Sequence, residues 1–223
     1  MGTLKRIDSN PGLVEQVHRQ LLEAICAGQL PPGARVRQEQ VAASLGVSRQ
    51  PVHQALRLLK NEGFLVDAGR RGLMVAPLES AAVAQLYEVR SVLDGLAARL
   101  AARSRVQLDA SLIAAGRKSL KGPLLGAVRA DLRFHQAVYE ASGNALLAES
   151  ASRYWQHISR AMGAALGPHG LGPSVWDEHE RILRAINDRD EARAEALARG
   201  HCEEAGRTLS GRLQPDKREE KSA

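Results

Sequence analysis

The sequence predicts a mainly α-helical protein: a compact N-terminal part with a small β-hairpin, followed by an all-α antiparallel helical bundle. Three observations carry this. Aromatic residues are 3% of the 223 residues while alanine and leucine abound, a mix that favours helices over a sandwich or barrel. Apolar residues recur at three- and four-residue spacing along most of the chain. The β-prone runs are short and confined to one stretch before Pro77.

The elements follow in order. Val14, Val17, Leu21 and Ile25 form one stripe of a helix from Leu13 to Ala27, with Gly28 as its stop and Pro31-Pro32-Gly33 as a turn. A short helix from Gln38 to Leu45 buries Val41, Ala42 and Leu45, and Gly46 breaks it. Ser48 stands at an N-cap position with Pro51 in the first turn of the next helix. That helix runs to Asn61 with Val52, Ala55, Leu56 and Leu59 inward, and Gly63 ends it. Phe64–Ala68 and Leu73–Ala76 read as strands joined by the basic tip Gly69-Arg70-Arg71-Gly72. Beyond Pro77 helices are expected near 79–103, 106–121, 124–141, 144–166, 173–187 and 189–213, with Asn144 as a cap. The division is therefore 1–77, 78–214 and a disordered tail 215–223.

Composition bounds the function. A formal charge of +6 with 44% hydrophobic residues fits a soluble globular protein. No apolar run is long enough for a spanning helix, and the first ten residues lack a signal-peptide core, so a cytoplasmic protein with no membrane partner is expected. Cys26 and Cys202 are too far apart in sequence to suggest a disulfide framework or a thiolate zinc site. Residues 1–77 hold ten Lys/Arg against six Asp/Glu, which hints at a polyanionic partner.

The short helix, the turn at Gly46 and the polar start of the next helix describe a helix-turn-helix, and the hairpin makes it winged. In such a unit the N-terminal end of the second helix enters the major groove and reaches base edges. Ser48, Arg49, Gln50 and His53 supply donors and acceptors there, with Arg57 one turn on. Arg70 and Arg71, with Gly72 beside them, suit phosphates or a minor groove, and Arg35 and Arg37 complete the candidate contacts to double-stranded DNA.

The stretch AGQLPPGARVRQEQVAASLGVSRQPVHQALRLLKNEGFLV resembles the DNA-binding domain of GntR-type bacterial transcription regulators. The marks are Pro32-Gly33, Leu45-Gly46-Val47-Ser48-Arg49, Pro51-Val52, Ala55-Leu56-Arg57 and Glu62-Gly63. One departure is His53, where the family usually has Arg; a mostly neutral imidazole cannot fork onto guanine, so operator preference is expected to differ.

In the second half Asp131 and His135 stand four apart on one helix, and His179 and His201 lie on apolar stripes of two others. Read from spacing, these are either core histidines bonded to backbone and hydroxyl groups or a shared divalent-metal site. LYEVRSVLDGLAARLAA, DLRFHQAVYEASGNALL and EHERILRAINDRDEARAEALARGH are similar to segments of the FCD effector domain of the FadR-like GntR subfamily, with Asp94 where Glu is more usual. The resemblance implies that Asp131, His135, His179 and His201 hold a metal ion, with zinc, nickel and manganese all compatible, and that small carboxylate or hydroxy-acid effectors are sensed there. Arg90 is the candidate partner for the effector carboxylate. The expected protein is a metabolite-responsive transcription regulator, a repressor, binding a palindromic operator as a homodimer. The competing readings are a metal-dependent enzyme acting on small organic acids, which would need a general base at the metal, and a non-specific nucleoid protein.

Overall fold

The computed structural model describes residues 11–69, 72–167 and 170–213. Arg70, Arg71 and the tail 215–223 lie outside them. Contacts divide the chain into two compact units that meet in sequence between Pro77 and Leu78.

The first unit contains α1 (Pro11–Cys26), β1 (Arg35–Val36), α2 (Gln38–Leu45), α3 (Arg49–Asn61), β2 (Leu65–Asp67) and β3 (Leu73–Val75). Its core joins Val17, Leu21 and Ile25 of α1 to Val52, Ala55, Leu56 and Leu59 of α3, the stripes that the periodicity selects. Gly46 ends α2 in the left-handed region at φ 65°, which permits the tight turn into α3. Ser48 takes the extended N-cap conformation, but its side chain makes no capping hydrogen bond.

The sheet differs from the expected two-stranded hairpin. It has three antiparallel strands in the order β1-β3-β2, with Arg35 opposite Met74 and Leu65 opposite Val75. Gly33, at φ 80°, donates its N–H to the Val75 carbonyl at 2.9 Å, so the Pro-Gly turn feeds β1 directly onto the edge of β3. Lys60 at the end of α3 bonds both carboxylate oxygens of Asp67 at 2.7 and 2.8 Å, which ties the wing to that helix.

The second unit is all helical: α4 (Ser80–Arg103), α5 (Ser111–Ser119), α6 (Leu124–Ala141), α7 (Ala145–Leu166), α8 (Ser174–Asn187) and α9 (Glu191–Arg212). Helices α4 and α9 lie side by side over most of their length, and Ala97, Ala98, Ala101 and Ala102 of α4 share a core with Ala194 and Ala198 of α9. Small side chains let helix axes come close, which gives the abundant alanine a packing role. Glycines sharpen it. A Cβ on Gly206 would fall 2.7 Å from the Tyr87 Cβ, and one on Gly116 would fall 2.1 Å from the Trp176 ring.

Helix α5 is shorter than its periodicity suggests. Asn187 of α8 accepts from the Leu108 N–H at 2.9 Å and donates to the Leu108 carbonyl at 3.0 Å, and this holds the preceding loop out of the helix. The Asp109 carboxylate then accepts from the Ser111 N–H at 2.7 Å and starts α5 there. Asn144 caps α7 as expected, accepting from the Leu146 N–H. Among the described residues, no helix is long and apolar enough to cross a membrane.

Candidate functional site

Two constellations stand out, one in each unit. In the first, Arg35, Arg37, Ser48, Arg49, Gln50, His53, Arg57 and Gly72 are all exposed. Arg35, Arg37, Arg49, His53, Arg57 and Gly72 border one groove of about 710 Å³ between the start of α3 and the sheet. Helix α3 buries its opposite face, so its polar N-terminal side is free to meet a partner. Two contacts organise this end. The Gln38 side chain donates to the Arg49 carbonyl at 2.7 Å, and the Arg49 guanidinium pairs with Glu39 at 3.0 Å. Sequence reasoning missed Glu39, which sits on the other helix of the motif.

In the second unit Asp131 and His135 of α6, His179 of α8 and His201 of α9 are buried, and one donor atom from each lies within 4.8 Å of every other. The His179 and His201 Nε2 atoms are 3.1 Å apart, His179 Nε2 is 3.5 Å from Asp131 Oδ1, and His135 Nε2 is 3.9 Å from Asp131 Oδ2. Donors about 2.0–2.2 Å from a tetrahedral ion stand ~3.3–3.6 Å from one another, so this set, with its donors within 4.8 Å, could close on an ion by shifts of about an ångström.

The tautomers follow from the outer partners. His201 Nδ1 donates to Glu178 at 2.6 Å, and His135 Nδ1 donates to Asp94 at 2.9 Å, which leaves both Nε2 lone pairs facing inward. The buried His135 Nε2 has no hydrogen-bond partner, so its lone pair could serve a cation. The four residues could hold a metal ion, and a mixed nitrogen and oxygen set of this kind suits first-row divalent metals.

Asp94 is the hub of the surrounding polar network. Besides His135, it accepts from the Tyr139 hydroxyl and from the Cys202 thiol, the latter at 2.9 Å, and it lies 3.4 Å from Arg90 Nε. Burial pushes its carboxyl up, but the Arg90 charge and His135 outweigh burial and hold it well below the usual carboxylate range. Burial, helped by the Arg90 charge, pushes His135 down against the pull of Asp94, and burial with the neighbouring imidazoles pushes His179 far down. Both rings are therefore kept neutral, the form that ligates metals. The hydrogen bond from His201 holds Glu178 below its ordinary value.

Arg90 is 4% exposed. Its Nη1 donates to the Tyr87 hydroxyl at 3.1 Å, while Nε and Nη2 are buried without a hydrogen-bond acceptor. Together with Asp131 and His201 it lines a cavity of about 410 Å³. The structure thus brings Arg90 and the four candidate ligands into one neighbourhood. Spacing did not reveal the orienting groups Asp94, Glu178 and Tyr139. The one available signal was the Arg90–Asp94 step of four residues, an ion-pair spacing on a helix.

The chain matches the family described as bacterial regulatory proteins, gntR family, over residues 13–75, and the FCD domain over residues 85–204. An uncharacterized HTH-type transcriptional regulator in an unstable DNA locus of Streptomyces ambofaciens is 30% identical over 192 residues, spanning 83% of this chain and 80% of that protein. A protein named as a probable D-xylose utilization operon transcriptional repressor of Paenarthrobacter nicotinovorans is 28% identical over 204 residues and 89% of each chain. The solved structure of E. coli McbR/YncC superposes with a TM-score of 0.70 at 20% identity, covering 91% of this chain and 99% of that one, a likeness of fold. With both halves matched and the winged helix-turn-helix standing ahead of the helical unit, the chain belongs to the GntR family with the FadR-like FCD architecture and is a DNA-binding transcriptional regulator rather than an enzyme.

Proposed function

We propose that the protein is a cytoplasmic, metabolite-responsive repressor that binds a palindromic operator as a homodimer and senses a small carboxylate or hydroxy-acid at a metal-bearing cavity in residues 78–214. The observation that carries this reading is the convergence of Asp131, His135, His179 and His201 beside a buried arginine whose Nη2 has no acceptor.

Residues 1–77 read the operator. Arg49 and Gln50 address base edges, and His53 and Arg57 extend the contact along α3. Ser48, whose hydroxyl is not used as a cap, is available to a phosphate at the helix N-terminus. Arg35, Arg37, Arg70, Arg71 and Gly72 supply phosphate or minor-groove contacts. One such head touches too few bases for useful specificity, which is the argument for two copies on a symmetric site. Repression is favoured by the name of the Paenarthrobacter relative.

In the sensor, Asp131, His135, His179 and His201 would hold a zinc, nickel or manganese ion, which would supply positive charge and Lewis acidity toward an anionic ligand. Asp94 and Glu178 fix the ring orientation of His135 and His201. The Arg90 guanidinium receives the ligand carboxylate on Nη2, the nitrogen left by its contacts to Asp94 and Tyr87, as a charge-assisted bond. The ligand alters DNA binding only as far as it binds the two placements of the DNA-binding heads unequally.

His179→Ala is the test. Purified wild-type protein should carry about one ion per chain by elemental analysis, and the variant far less. The variant should retain operator binding while its response to carboxylates is blunted. Wild-type protein that takes up far less than one ion per chain after incubation with zinc or nickel would remove the metal from this account.

A further inference from the structure

The cavity beside Arg90 is longer and more apolar than a three-carbon hydroxy-acid requires. We infer that its ligand is a monocarboxylate with an apolar body of roughly five to eight carbons, the length that about 6–12 Å of helix axis covers. This rests on the carboxylate reading above and narrows it.

The head of the ligand is set by Arg90. Its Nε is ion-paired with Asp94 at 3.4 Å, while its Nη2 is buried with no hydrogen-bond acceptor and is left to bond an anion. A buried guanidinium nitrogen with no acceptor is costly unless one arrives.

The body is set by the walls. Ala205 and Leu209 of α9 stand about 6 and 12 Å along the helix axis from His201, and both line the cavity. Met162 and Leu166, one turn apart on α7, and Leu171 beyond it line the same stretch. The cavity of about 410 Å³ would hold on the order of a dozen waters at liquid density; waters against this apolar stretch have few partners, while Ser174, Thr208 and the charged side chains serve the rest of the cavity.

The charges argue against a second carboxylate on the ligand. Glu178 and Glu204 both border the cavity. Glu178 is held by His201 and Glu204 by Arg207, so both stay charged at the cavity's border, and a distal carboxylate there would meet like charge, with Arg212 in the exposed last turn of α9 the cation left to it.

The test is calorimetric titration of zinc-loaded full-length protein with acetate, butyrate, hexanoate and octanoate, beside lactate and adipate. Each methylene laid on an apolar wall should tighten Kd about fourfold, so hexanoate should bind on the order of 100-fold tighter than acetate and well ahead of lactate and adipate. Ala205→Leu narrows the apolar stretch, and with metal content equal to wild type it should erase most of the gain from chain length. A flat series in which lactate matches hexanoate overturns this inference and leaves the small-acid reading standing, as does adipate binding more tightly than hexanoate. If no acid of any length binds, both the apolar ligand and the carboxylate reading fall, while metal content still reports on the ion site separately.

Discussion

Asp94→Asn tests the network that joins Arg90 to the proposed metal ligands. Asparagine keeps the shape of the side chain and removes its charge. In the wild type, Asp94 is 3% exposed and faces His135 Nδ1, Tyr139, Cys202 and Arg90. An amide NH2 in place of Oδ2 would meet His135, Cys202 and Arg90 donor to donor, and in place of Oδ1 it would face the Tyr139 hydroxyl, which can turn to accept; either way the buried Arg90 charge loses its nearest counter-ion. Breaking a buried pair from one side costs about 3–5 kcal/mol, which for a chain of this length lowers Tm by roughly 6–20 °C. Losing the orienting carboxylate should also weaken metal affinity about 10–100-fold. Thermal unfolding of metal-free protein and competition with a chromophoric chelator measure the two effects. The double variant Asp94→Asn, Arg90→Met separates them: without the stranded charge most of the stability should return, while metal affinity stays low. A Tm drop under about 2 °C together with unchanged metal affinity would refute the assignment of Asp94 as the hub.

Three further outcomes are expected. Arg49→Ala should reduce discrimination between operator and scrambled duplex by about 1–3 kcal/mol, read by fluorescence anisotropy, and unaltered discrimination would count against α3 as the reading helix. His135 and His179 are held neutral below their ordinary values. Their contribution to stability is therefore complete above the unfolded histidine pKa of about 6.5 and is lost as pH falls below it, by up to about 1.4 kcal/mol per pH unit for each ring; metal-free protein with a flat Tm between pH 7 and 5 would contradict this. Gly116→Ala forces a methyl against the fully buried Trp176 ring and should cost about 1–3 kcal/mol, whereas Gly126→Ala, with nothing within 4 Å, should be neutral or better, both read by urea unfolding.

Much of this fold is written locally. The stripes of α1 and α3, Gly46, the cap at Asn144 and the breaks around Pro123 and Gly143 follow from periodicity and turn chemistry, and the helices form close to where those signals place them. What the sequence hides is non-local. Strand β1 is two residues long, too short for any alternation to register, and exists because β3 offers it an edge. The loop before α5 reads as helix until Asn187, far along the chain, takes up the Leu108 backbone. The same division holds at the site. The apolar stripes alone leave core histidines and a shared metal site both open; Asp131, His135, His179 and His201 become a set through the family resemblance, and the structure brings those four together. Glu178 is not legible: it neighbours His179 in sequence yet serves His201, a pairing that exists only once α8 lies against α9. Arg70 and Arg71, central to the expected wing contacts, lie outside the described residues.

Asp94 touches both Arg90 and His135, and the thermodynamics of a shared neighbour follow from that. A guest that draws the guanidinium aside leaves more of the carboxylate's negative charge to the imidazole, and an ion that draws on the imidazole changes what the guanidinium can offer a guest. Linkage requires the two influences to be equal in free energy, so metal and guest would report on each other's occupancy even where they never touch.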